Sequence, residues 1–295
     1  MKLKESKEIF LYRRLPLIFF LCTSATVIIR TVQMFCFIER EAGFYTGGEL
    51  LQVLLYFLIA VSGVGFAAVS FLSKESSKIT LRMKKDTALS ALTVLLSVSF
   101  LYDSLSSFFG AFDSIGRVSY GASAFQSMML SGTIPQMFQS AFALLSAAYF
   151  IIFAKSIIKG TDSAAGHKLL AVAPVGWAGF RLIHRFVEQI SYVRVSELFL
   201  ELILLALFVM FFMSFAQVSS GVYVKNARWR LVGLGLPAAL ISLTLNIPRM
   251  LFVLLKGSDE LYAKYPFRVA DFVAALFIAV IVIKLIKNLK ETDNV

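Results

Sequence analysis

Charge is scarce in this chain. Asp, Glu, Lys and Arg make up 16% of its 295 residues, against about 25% in ordinary soluble domains. Histidine occurs twice and cysteine twice. Cys22 and Cys36 fall on one expected helix, roughly 21 Å apart at about 1.5 Å per residue. That separation excludes an internal disulfide, and no zinc-type spacing exists. His167 and His184 lie at different expected depths, which excludes a haem held by two histidines. The chain has no HExxH, no P-loop, no GxSxG and no glycine-rich nucleotide fingerprint. No metal, no cofactor and no catalytic residue is therefore expected. The polar segments are too short to house a soluble catalytic or nucleotide-binding domain.

Apolar sequence fills the space. Apolar residues are 58% of the chain, phenylalanine alone occurs 29 times, and mean hydropathy is +0.79. Runs of roughly 20 apolar residues recur along the chain, the pattern of membrane-spanning helices. Eight spans are predicted, at about 15–38, 50–72, 87–109, 134–158, 169–191, 197–224, 231–255 and 267–287. The expected fold is an all-α integral membrane protein: one polytopic bundle of eight transmembrane helices over residues 1–295. A basic start followed by an apolar stretch resembles a signal peptide. The apolar run continues to Phe37, so an uncleaved first helix is expected.

Orientation follows from where lysine and arginine gather in short loops. Lys2, Lys4, Lys7, Arg13 and Arg14 precede the first span. Lys74, Lys78, Arg82, Lys84 and Lys85 follow the second; Lys155, Lys159 and Lys168 follow the fourth. Lys225, Arg228 and Arg230, then Lys284, Lys287 and Lys290, complete that side. The other side has only Arg40, Arg117, Arg194, Lys256, Lys264 and Arg268. The bias places both termini in the cytoplasm and the chain in the cell membrane. The net charge of +11 is thus topological, and no nucleic-acid partner is implied. Membrane lipid is the expected surrounding. The long outer segment 110–133 mixes Gly and Ser with Phe112, Phe125, Met128, Met129 and Leu130. It reads as an interfacial segment, or as a lid.

The remaining charges lie inside the spans. Arg30 is 16 residues beyond Arg14, Asp103 is 18 beyond Lys85, His184 is 16 beyond Lys168 and Arg249 is 19 beyond Arg230. At about 1.5 Å per residue these are roughly 24–28 Å up a core about 30 Å thick. Four helices therefore place polar groups in one outer layer. Arg181, His184, Arg185 and Glu188 share one helical stripe, as do Arg30 and Gln33, Tyr102 and Asp103, and Asn246 and Arg249. Glu201 and Asp271 add carboxylates near the starts of later helices.

A charge in hydrocarbon costs about 2.5–3.5 kcal/mol on insertion scales, so these groups are expected to face a polar interior. Arg30, Arg181, Arg185 and Arg249 balance Asp103, Glu188, Glu201 and Asp271 in sign. That balance fits two arrangements: a closed salt-bridge layer, or a site for a small polar, anionic or zwitterionic solute. In the second the arginines hold a carboxylate or phosphate, and His184 is the group that titrates near neutral pH. The expected function is that of a small-solute transporter or permease-like binding protein. The alternatives are an intramembrane enzyme acting on a lipid headgroup, and a non-catalytic sensor or assembly subunit.

Overall fold

The computed structural model describes residues 2–38, 47–72, 86–115, 124–161, 163–187, 195–222, 227–256 and 266–292. All regular structure among them is helical. The helices are α1 (Lys2–Cys36), α2 (Glu49–Leu72), α3 (Thr87–Ile115), α4 (Ala124–Leu130) and α5 (Thr133–Lys159). They continue with α6 (Lys168–Ala171), α7 (Ala173–Val187), α8 (Val195–Ser219), α9 (Ala227–Lys256) and α10 (Val269–Thr292). Among the described residues, seven helices are long and apolar enough to cross a membrane: α1, α2, α3, α5, α8, α9 and α10. The chain is a multi-pass membrane protein.

The expected span at 169–191 is not among the seven. It begins as the short α6, turns at Val172, and resumes as the 15-residue α7. Pro174 explains the break. Its ring nitrogen has no hydrogen to donate to the carbonyl four residues back. The end of that expected span, 188–191, lies outside the described residues.

Two compact units make up the chain. One comprises Lys78–Ala227; the other joins Met1–Ser77 to Arg228–Val295.

In the unit of Lys78–Ala227, α3 and α5 pack antiparallel along small residues spaced by seven. Ser90, Ser97 and Ser104 donate to the carbonyls of Ala154 (3.3 Å), Ala147 (2.8 Å) and Ser140 (2.9 Å). Ser140 Oγ returns the bond to Ser104 O at 2.8 Å. Small side chains let the two backbones approach, and each hydroxyl finds an acceptor without water. Asp86 starts α3 by accepting from Leu89 N at 3.0 Å. Gly160 (φ 65) ends α5 with Gly160 N to Ile157 O and Thr161 N to Ser156 O, a left-handed cap that favours glycine.

α7 lies on α5 through Phe180, stacked on Phe138 and Phe142 at 4.8 and 5.4 Å. Phe142 also fills the space that a Cβ on Gly176 would take. Trp177 joins α7 to α3 and α8. Phe100 meets its ring edge-on at 4.7 Å, with Phe208 at 6.1 Å and Phe212 at 6.3 Å. The short α4 packs beside the start of α5, so part of the segment 110–133 is helical; 116–123 lie outside the described residues.

In the unit of Met1–Ser77 and Arg228–Val295, α1 meets α2 through Phe19 and Phe66, 6.0 Å apart. Gly233 of α9 leaves room for Ser70 of α2, where a Cβ would stand 2.8 Å from the serine Cβ. α9 runs unbroken through Pro237 and Pro248. Pro248 nevertheless leaves the Thr244 carbonyl without its helical N–H. Thr26 pairs with Thr244 at 2.8 Å and Phe35 with Phe252 at 5.6 Å. Both pairings advance in the same direction, so α1 and α9 run parallel.

Candidate functional site

The expected site residues fall into two groups, one in each unit. Glu188 lies outside the described residues.

The first group is built on α7. Its face carries Trp177, Arg181, His184 and Arg185 at intervals of three and four residues. Trp177 is buried and donates from Nε1 to Asp103 Oδ2 of α3 at 2.7 Å. Gln139 of α5 donates from Nε2 to the same oxygen at 3.1 Å, and to Ser107 Oγ at 2.9 Å. One carboxylate oxygen thus ties three helices together. Arg181, only 2% exposed, lies with its guanidinium 5.4 Å from the Trp177 ring centroid. That is a cation–π geometry, strengthened where water is excluded. One residue past His184, Arg185 reaches α8 and pairs with Glu201, Nη2 to Oε2 3.1 Å; both side chains are 13% exposed. His184 packs on the turn into α5, where a Cβ on Gly132 would stand 2.7 Å from Nδ1. Gly132 has φ 77, a second reason for glycine there. Tyr102 is 62% exposed and does not join its neighbour Asp103 in this group.

The second group is built on α1, α9 and the lead-in to α10. Arg30 and Gln33 are one turn apart on α1, and Arg30 Nη1 donates to Gln33 Oε1 at 3.0 Å. From α9, Ser242, Asn246 and Arg249 form a stripe that holds the chain entering α10. Ser242 Oγ donates to the Asp271 carbonyl at 2.8 Å. Asn246 Oδ1 accepts from Arg268 N at 3.2 Å, while its Nδ2 donates to Ser242 O at 3.0 Å. Arg249 Nη1 donates to Pro266 O at 3.4 Å. Asn246–Arg249 thus lie in an intact helix whose polar face docks another segment. Because α1 and α9 run parallel from Thr26–Thr244 to Phe35–Phe252, Arg30 lies level with Pro248 and Arg249. Arg30 is 5% exposed, Arg249 4% and Asp271 4%.

Sequence reasoning passed over Trp177, Ser107, Ser242 and Arg268. It ranked residues by charge, and three of these are neutral. The signal for Trp177 was present, since it precedes Arg181 by four residues on the same stripe. Arg268 was counted only as a loop charge. Ser107 lies four residues beyond Asp103, again one helical turn away.

Neither a protein-family model, nor a curated protein, nor a solved structure matches the chain. Roles for these residues rest on the geometry alone.

Proposed function

We propose that the chain is a permease-like protein of the cell membrane that binds and moves a small anionic or zwitterionic solute. In this reading residues 1–295 work as one polytopic domain with both termini in the cytoplasm. The loop bias in lysine and arginine supports that orientation. The observation that carries the reading is the burial of Arg30 and Arg249, at 5% and 4% exposure, inside helices able to cross a membrane. An ionised side chain at such a position is expensive, and its commonest use is to bind or conduct a polar species. In the same unit the buried Asp271 supplies a carboxylate that suits the ammonium end of a zwitterion.

Uptake into proteoliposomes, measured with a panel of labelled amino acids, carboxylates and phosphate esters, tests this. One solute class should accumulate with wild type and fail with Arg249→Gln at equal reconstitution. Equal uptake by wild type, Arg30→Gln and Arg249→Gln liposomes would refute it. A second reading, a structural salt-bridge layer, is favoured for the α7 group by the Arg185–Glu201 pair and the doubly bonded Asp103 oxygen. It predicts that α7 substitutions lower stability without altering solute specificity.

A further inference from the structure

We infer that the unit of α1, α2, α9 and α10 holds an oxyanion-binding subsite, formed by Arg30, Gln33, Arg249 and Arg268. This rests on the permease reading for its purpose, and on the following geometry for its chemistry.

The argument starts from Gln33. Its side chain is 1% exposed. Oε1 accepts from Arg30 Nη1 at 3.0 Å, which fixes the amide orientation: the flipped form would set an NH2 against a guanidinium N–H, donor against donor. Nε2 is then presented as a donor, and it has no hydrogen-bond partner among the described residues. Arg268 Nε is a second buried donor with no partner among them. Its backbone is anchored one turn from Arg249 by Asn246. A buried donor without an acceptor is costly, and here both orphaned groups are donors. What they lack is oxygen with lone pairs.

Charge points the same way. Arg30 and Arg249 sit at one level on parallel helices, and Arg268 enters beside them. Among the described residues of this unit, Asp271 is the one buried carboxylate. The three guanidiniums of Arg30, Arg249 and Arg268 outnumber that carboxylate, which disfavours a metal ion or an amine and favours a carboxylate, phosphate or sulfonate. The planar fork of arginine matches such groups with two parallel bonds. The oxyanion comes from a free solute or from a phospholipid headgroup.

The decisive variant is Gln33→Glu, which builds a tethered oxyanion into the subsite. Full-length protein is purified in phospholipid-free maltoside micelles, and its melting midpoint is followed against phosphate, sulfate and acetate, with chloride at matched ionic strength. Wild type should be stabilised, saturably, by at least one oxyanion and not by chloride. Arg249→Gln should weaken that response about tenfold or more. Gln33→Glu should melt higher than wild type without any addition and should no longer respond. Native mass spectrometry separates the two sources. If a phospholipid copurifies with wild type and is absent from Gln33→Glu, the lipid phosphate is the occupant and the subsite stands. No oxyanion effect together with no such lipid overturns it, as does a Gln33→Glu protein that melts lower and still responds. Arg249-dependent uptake without oxyanion or lipid binding would leave the permease reading and remove the subsite. Oxyanion binding with no uptake of any solute would do the reverse.

Discussion

Replacing Asp103 by leucine removes the acceptor shared by Trp177 and Gln139 while nearly preserving volume. The two donors then fare differently. Gln139 keeps Ser107 Oγ at 2.9 Å. Trp177 Nε1, in a buried ring, loses its 2.7 Å bond to Asp103 Oδ2, and Phe100, Phe208 and Phe212 around it offer no acceptor. Bonds to charged groups contribute about 1.5–3 kcal/mol in soluble proteins, and hydrogen bonds within membranes average about 0.6 kcal/mol. Relief of the carboxylate's desolvation offsets part of the loss. The expected net destabilisation is about 2 kcal/mol, most of it from the orphaned indole N–H. The assay is unfolding in mixed micelles, read by Trp177 fluorescence in a Trp229→Phe background, since the chain has two tryptophans. Asp103→Asn keeps an acceptor oxygen and should cost less than half as much. Trp177→Phe, followed by loss of helical circular dichroism because it removes the fluorophore, should cost less in the Asp103→Leu background than in wild type, because the N–H it removes is already unsatisfied. The reasoning is refuted if Asp103→Leu unfolds within about 0.5 kcal/mol of wild type, the usual range for an unengaged site, or if the two changes are additive.

Three further outcomes follow from the packing. Ser97→Leu forces a branched side chain between α3 and α5, where Ser97 now donates to Ala147 O; it should cost about 1–3 kcal/mol by the same unfolding assay, whereas Val98→Leu, on the exposed face, should be neutral. Glu201→Gln leaves the largely buried Arg185 without its 3.1 Å partner and should lose about 3 kcal/mol or more, partly recovered in the Arg185→Met, Glu201→Gln double variant. Asn246→Leu frees Arg268 N and should raise amide exchange at 266–271 with little change at 87–115.

The helical stripes could be read in advance because period 3.6 is a local property. Arg30 with Gln33, and Arg181 with Arg185, lie on the faces that spacing alone assigns. The Ser90–Ser97–Ser104 ladder was equally visible as a heptad and went unread, because serine carries little weight in a search for charge. Tyr102 shows where local reasoning stops. It adjoins Asp103 in sequence, yet a step of about 100° around the helix turns it outward while Asp103 turns to Trp177.

By itself, the sequence determined that this is a multi-pass helical membrane protein and which residues share a helical face. Hydropathy, chain length and helical period decide those things without reference to any partner. Only the tertiary structure decided who meets whom. It broke the span at 169–191 near Pro174, bound Asp103 to Trp177 and Gln139, and set Asn246 and Arg249 to holding the entry of α10. It also left the Gln33 amide with a donor that meets no acceptor among the described residues. Residues at equal depth on different helices can pair, stack or stand apart, and the packing of neighbouring side chains chooses among these.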